Sequence, residues 1–308
     1  MQPSVDSPYR TRPRALWHPL SGVEGGGGPG PATRGRIRRP PGGGVASAPM
    51  PAARHPAWSD QALARDPHRD PEKAARVQAM FSAIARRYDL NNRVHSFGQD
   101  QRWRRRAVEL AGELRGRTVL DVACGTGDLS EAFARAGAAA VIGVDFTPAM
   151  LDLARAKAAS RRRPAGAAAP EYRHGDATAL DIPDRSVDVV SIAFGLRNVD
   201  RPDAAIAEFH RVLRPGGVLV ILEFDEPSNP VIRAGSGLYT RIIMPVTATL
   251  LARDRSGAYK YLPRSVATFL DRAALARRLE SAGFRDVRQV PLSLGICVVT
   301  VAVRPGGE

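Results

Sequence analysis

VLDVACGTGD (residues 119–128) decides the fold. A mostly apolar run carrying one carboxylate turns through two glycines spaced one residue apart and reaches a second acid. TVLDVA (118–123) has the composition of a buried strand, and DLSEAFARAG (128–137) has helical spacing with a glycine stop. Strand, glycine turn and helix together open a βα unit, whose turn brings backbone close to a ligand. Outward from it the same alternation continues. AVIGVDF (140–146) is a strand, and PAMLDLARAKAAS (148–160) is a helix with Pro at its first turn. EYRHGD (171–176), SVDVVSIAF (186–194) and GVLVILEF (217–224) are strands, and PDAAIAEFHRVL (202–213) is a helix before the last of them. Continuous apolar strands suit a parallel sheet covered on both faces. DRAALARRLESAGF (271–284) is again helical, but FRDVRQVPL (284–292) and GICVVTVAVR (295–304) are joined too closely for a parallel crossover. The fold class is therefore α/β: a doubly wound, seven-stranded, mostly parallel sheet closed by an antiparallel C-terminal strand.

Upstream, PEKAARVQAMFSAIARRYDL (71–90) reads as a helix with Val77, Met80, Phe81 and Ile84 on one face, and a second helix follows Trp103. Residues 1–70 differ. Rich in Gly, Pro and Arg, they are expected to remain disordered, because they bury too little apolar surface to offset chain entropy. An N-terminal extension, or a start assigned upstream of the true one at Met50 or Met80, accounts for them. The domain expected to fold is 71–308.

The formal charge of +14 comes almost wholly from Arg, since only Lys73, Lys157 and Lys260 are lysines. Such a balance allows contact with nucleic acid or anionic lipid without choosing between them. Cys124 and Cys297 give neither a disulfide framework nor metal-ligand spacing, so a reducing, cytoplasmic setting and no metal are expected. Cys124 reads as a small buried thiol. No apolar run is long enough to span a bilayer.

The glycine loop excludes two ligand classes. A P-loop needs a Lys after its last glycine, and none stands near Gly125 or Gly127. The dinucleotide fingerprint needs a third glycine where Ser130 stands, and Asp121 and Asp128 would repel a pyrophosphate. A cationic, phosphate-free ligand reverses the argument, and S-adenosyl-L-methionine is such a ligand. Asp121 then suits its ammonium, while Gly125 and Gly127 admit the backbone closely. Asp145 ends the next strand where an acid takes ribose hydroxyls, and Asp176 ends the third strand, within reach of an adenine amino group. Asp128 is expected to cap its helix.

YDLNNRVHSFGQDQRW (88–103), FGLRNV (194–199) and RVLRPGGVLVILEF (211–224), with YKYLPRSVATF (259–269), resemble the menaquinone and ubiquinone biosynthesis C-methyltransferases, which are class I S-adenosylmethionine-dependent methyltransferases. The resemblance covers about residues 71–308. It implies cofactor contacts at Thr126, Asp145, Asp176 and Ala177, with Ala193 standing where the family often has Ser. Asn91, His95 and Asp100 depart from the first signature, Asp100 replacing a frequent His. The activity implied is C-methylation of demethylmenaquinol, an isoprenoid quinol, as the last step of menaquinone biosynthesis, with the ubiquinone-pathway methoxy-benzoquinol as the alternative acceptor. Arg197, with Asn198 beside it, is then the group that steadies the developing phenolate, or else a loop-fixing ion pair. His95, His174 and His210 are the candidate bases. Residues 71–116 would form N-terminal helices and 226–270 a lid or substrate segment, whose apolar run at 242–252 could face the isoprenoid tail or the inner face of the membrane as a peripheral contact. No specific nucleic acid is implied. A nucleic-acid methyltransferase, a nicotinamide oxidoreductase and a non-catalytic binding module are the rival readings.

Overall fold

The computed structural model describes residues 56–164, 166–239 and 256–306. Seven strands form one sheet in the order β3-β2-β1-β4-β5-β7-β6. They are β1 (Thr118–Val122), β2 (Ala140–Asp145), β3 (Glu171–His174), β4 (Val187–Ala193), β5 (Leu213–Phe224), β6 (Arg285–Leu292) and β7 (Cys297–Val303). The first five strands run parallel, and β7 is inserted antiparallel between β5 and β6. The expected fold class holds.

Successive strand residues point to opposite faces, and the core divides accordingly. Val119, Val141, Val189 and Val220 pack against Trp103, Ala107 and Phe133 on one face. Leu120, Val190, Ile192 and Leu219 pack against Ile206, Phe209, Leu275 and Leu279 on the other. The helices supplying these contacts are α3 (Gln99–Leu110) and α4 (Asp128–Arg135) on the first face, with α6 (Pro202–Val212) and α9 (Arg272–Ser281) on the second.

Boundaries shift in informative ways. α2 spans Lys73–His95 and continues past the expected Leu90, while α3 begins at Gln99 and so contains Trp103. Asp128 does not cap α4. Gly127, at φ 81°, holds the cap position, and no side chain caps this helix. Only glycine fits there, because a Cβ at Gly127 would lie 2.2 Å from the Tyr172 hydroxyl.

The expectation that disorder extends to residue 70 is corrected. Trp58 is 1% exposed, stacks on Tyr261 with ring centroids 4.6 Å apart, and donates its backbone N–H to Ser256. A short helix, α1 (Asp60–Leu63), and a 3-10 turn (Pro67–Arg69) follow. One aromatic anchor orders this segment through tertiary contact, and a single Trp in polar surroundings has no periodicity to read. The start of the chain through residue 55, and the apolar stretch at 242–252, lie outside the described residues. The flanks of that stretch are helical, α7 (Pro230–Leu238) and α8 (Ala258–Ala267). Among the described residues no helix is long and apolar enough to cross a membrane.

Candidate active site

The parallel register brings the carboxyl ends of β1, β2 and β4 level: Val122 pairs with both Val144 and Ile192. After β3 the chain returns to place β4 beside β1, and this reversal opens a crevice at the strand ends. Gly125, Asp145, Asp176, Ala177, Ala193 and Asn198 all line that crevice. Asp121, Thr126 and Gly127 are not part of its lining. Val77, Phe81 and Tyr88 of α2 close it from above.

Asp145 accepts the backbone N–H of Gly125 through one carboxylate oxygen (2.7 Å) and that of Thr147 through the other (2.8 Å). It therefore ties the glycine loop to the end of β2. Burial pushes its pKa upward, opposed by these two donors. Asp176 is exposed, and one of its oxygens accepts from both the N–H and the hydroxyl of Thr178. Asp200 completes the set of acids in the crevice, whose described lining includes no Lys and no Arg. Asp200 is itself paired with Arg201 at 3.9 Å, whereas Asp145 and Asp176 have no Lys or Arg ion pair among the described residues; two such carboxylates suit a positively charged ligand and oppose a phosphate.

Asp121 lies deeper, 1% exposed, with one oxygen accepting from Ser130 Oγ (2.6 Å) and the other from Ser191 Oγ (2.7 Å). Burial raises its pKa to about 6 against the help of the two serines. Thr126 faces away from the crevice. Its hydroxyl donates to Asp89 at 2.6 Å and accepts from Lys157 Nζ at 3.0 Å. Lys157 also bridges Asp89 (2.7 Å) and Asp128 (2.8 Å). Although burial pushes the Asp128 carboxyl upward, Lys157, Arg104 and Arg161 outweigh it and hold that group well below the usual range. Cys124 is buried, and burial lifts its thiol well above the ordinary value, which removes it as a nucleophile.

A second cavity of about 990 Å³ adjoins the crevice, and Phe81, Tyr88 and Phe194 line both. Its wall is largely apolar, from Trp103 and Phe224 at one side to Ile232, Leu238 and Tyr259 at the other. Arg197 opens on this cavity, not on the crevice. It is 6% exposed and bonded through Nη1 to Glu223 (2.5 Å) and to the Phe194 carbonyl (2.8 Å). Its Nε is buried without a partner among the described residues. Arg197 thus forms an ion pair that fixes the loop, and it also faces the cavity. Asn198 donates to the same carbonyl and accepts from the Tyr261 hydroxyl at 3.0 Å. Among the described histidines, only His95 lines the large cavity, with Nδ1 2.8 Å from the Asn91 carbonyl. His174 ends β3, and His210 lies on α6 against Phe284.

Residues 70–304 match the ubiE/COQ5 methyltransferase family. The chain belongs to that family. Among ubiE/COQ5 relatives, the demethylmenaquinone methyltransferase of Thermus thermophilus is 44% identical over 227 residues, covering 73% of this chain and 100% of its own. The demethylmenaquinone methyltransferase of Clavibacter sepedonicus is 39% identical, covering 77% of this chain and 94% of its own. The ubiquinone/menaquinone biosynthesis C-methyltransferase UbiE of a Geobacter species is 41% identical, covering 76% and 98%. The fold also matches a methyltransferase solved in complex with the Haloferax volcanii Trm112 activator, with TM-score 0.51 and 17% identity over 73% of this chain and 99% of that one.

For a ubiE/COQ5 methyltransferase, sequence reasoning missed three polar residues that organise the site. Asp89 and Lys157 fasten α2 to the glycine loop. Lys73, 1% exposed, donates to the Val199 carbonyl at 2.6 Å and sits 3.1 Å from His68 Nδ1. Burial lowers its pKa to about 8. The signal was the scarcity of lysine. In a chain that uses Arg almost everywhere, two of the three lysines hold internal polar junctions.

Proposed function

We propose that this methyltransferase transfers a methyl group from S-adenosylmethionine to a ring carbon of demethylmenaquinol, giving menaquinol. One observation carries the proposal: an acid-lined crevice and a large, mostly apolar cavity share a wall of Phe81, Tyr88 and Phe194. A charged donor and a lipid-like acceptor are thereby brought edge to edge. The names of the relatives from Thermus thermophilus and Clavibacter sepedonicus support the acceptor.

Asp145 and Asp176 would take the ribose and adenine polar groups, with Gly125 and Ala177 allowing close approach. Asp121 and Thr126 would act from behind the loop, Asp121 as the buried negative charge nearest the ammonium. When bound, the donor supplies a methyl group that passes to the ring carbon as the sulfur keeps the bonding pair and the ring proton is released. Arg197 then holds the neighbouring ring oxygen as it gains phenolate character. A preorganised donor of this kind is worth about 10²–10³ in rate when aimed at developing charge. Asn198 fixes the Arg197 loop by bridging Phe194 and Tyr261. Trp103 and Phe224 pack the ring flat and exclude water, which strengthens each of these contacts.

The isoprenoid tail would leave through the rim that carries Phe97 and Leu238, 79% and 57% exposed. Exposed apolar tips on a chain of net charge +14 suit peripheral contact with an anionic bilayer at the cytoplasmic face.

The test is methyl-labelled S-adenosylmethionine offered with chemically reduced demethylmenaquinol and, separately, the methoxy-benzoquinol precursor of ubiquinone. Label on the naphthoquinol supports the proposal, and label on both makes the enzyme dual, as the name of the Geobacter relative would suggest. Donor binding without label on either acceptor overturns it.

A further inference from the structure

The large cavity contains a second buried arginine, and it mirrors the first. Arg104, on α3, is 8% exposed and lines the cavity beside Trp103. Its Nη1 donates to the Asp100 carboxylate at 3.0 Å and to the Asp100 carbonyl at 3.2 Å. Asp100 is in turn 4% exposed and held by Ser96 and Gln101. The Arg104 guanidinium lies 5.5 Å from the Phe194 ring centre, and the Arg197 guanidinium 5.3 Å from that of Phe224. The two rings are themselves 4.6 Å apart. A packed aromatic pair is thus bracketed by two guanidinium groups, each neutralised by one carboxylate.

Neither guanidinium has spent its hydrogen-bonding capacity. Each has five N–H donors. Arg104 uses only Nη1, and its Nε and Nη2 have no partner among the described residues. Arg197 Nε is buried and costly to leave unmet, and the remaining donors of Arg104, whose side chain lines the cavity, are open to a ligand oxygen. Their charges also reach the same point. Burial raises the pKa of the Tyr88 hydroxyl, on the wall shared with the crevice, and Arg104 and Arg197 both oppose that rise.

A 1,4-quinol has two ring oxygens on opposite sides, and only one neighbours the carbon that accepts the methyl group. Resting on the proposed acceptor, we infer that Arg104, held by Asp100, binds the oxygen across the ring while Arg197 binds the one beside the accepting carbon. Arg197 follows β4 next to Asn198, which lines the crevice, so it belongs to the methyl-transfer side. Arg104 belongs to the far side. The pair fixes the ring's rotation in its own plane, and with it the single carbon presented to the donor. A mono-phenol lacks the second anchor.

The experiment compares two acceptors with the same short prenyl chain. One is the naphthoquinol. The other is the 1-naphthol that keeps the oxygen beside the accepting carbon and lacks the one across the ring. Comparing wild type with Arg104→Met on both acceptors cancels the intrinsic reactivity of each ring. The naphthoquinol's kcat/KM should fall at least tenfold further than the naphthol's. Arg104→Lys should show a smaller differential of the same sign, as should Asp100→Asn, which keeps the cation but loosens it. Equal losses on the two acceptors in these variants overturn the assignment and leave Arg104 a packing residue. If Arg104→Met does not fold, the Lys and Asn variants decide by the same ratio. If wild type binds S-adenosylmethionine yet methylates neither acceptor, the proposed function fails first, and this inference with it.

Discussion

Thr126 Oγ1 donates to Asp89 Oδ1 at 2.6 Å, so the glycine loop is fastened to the helix that roofs the crevice. Lys157 braces both partners from α5 (Pro148–Ser160). Under the proposed function, Thr126 acts on the donor site through α2. Asp89→Asn weakens the fastening and leaves Lys157 with less charge to pair. The expected result is a three- to thirtyfold weaker donor affinity by calorimetry, with kcat changed less than KM for the donor. An unchanged affinity would remove the fastening from the account of donor binding.

Asp145 holds the glycine loop through Gly125 and the next turn through Thr147. Asp145→Ala removes both bonds and leaves two backbone donors without their partner, at about 1–3 kcal/mol each where they stay buried. Donor binding is expected to fall at least a hundredfold. Titration calorimetry measures it directly, and retention within threefold of wild type would refute the role.

Asp121 makes a prediction about pH. Its folded-state pKa, raised from 3.8 to about 6, means the folded protein holds this proton more tightly than the unfolded chain does. Stability from this group is therefore greatest below pH ~4 and declines as pH rises towards ~6, by about 3 kcal/mol at most. Asp121→Asn abolishes that decline. Relative to wild type, its Tm should be higher at pH 7.5 than the same comparison gives at pH 5, while donor affinity falls. A Tm difference that is the same at both pH values would count against the buried, perturbed carboxyl.

Arg197 and Glu223 form a buried pair with side-chain exposures of 7% and 3%. Removing one partner strands the other, which typically costs about 3–5 kcal/mol. Glu223→Gln should consequently destabilise the enzyme in thermal melts. Arg197→Lys should keep most of the fold but lose the planar fork, lowering kcat by roughly 10²-fold in the methyl-transfer assay. A kcat within a few-fold of wild type would confine Arg197 to fixing its loop.

Trp58 tests where the ordered chain begins. Its burial against Tyr261, with Arg76 placed over the indole at 5.9 Å, predicts a loss of about 3–5 kcal/mol for Trp58→Ala by chemical denaturation. A loss below 1 kcal/mol would mean that this segment is not part of the cooperative unit.

The sheet was legible because strands buried on both faces read as apolar runs and because a hairpin-length link cannot cross over. The crevice acids were legible because strand ends are fixed by those runs, which placed Asp145 and Asp176 without any tertiary information. Asp121 and Thr126 stood out in the sequence, but the direction in which their side chains turn did not. The same strand-end position can face a ligand or turn inward to Ser130 and Ser191, and only packing decides between them. Arg104 was hidden for another reason. In RWRRRA (102–107) it is one arginine among four, and only the helix phase set by Trp103 and Ala107 turns it inward.

The antiparallel insertion of β7 between β5 and β6 has a consequence during synthesis. β5 ends at Phe224, and its neighbour is complete only at Val303. At about 5–20 residues per second, the edge of β5 stays open for roughly 4–16 seconds on each nascent chain. That edge carries Val218, Val220 and Leu222, an apolar template on which a neighbouring chain could add a strand. The sheet therefore cannot close strand by strand behind the ribosome. It must wait for its penultimate position to be filled last, and until then the β5 edge is where a neighbouring nascent chain would first add on.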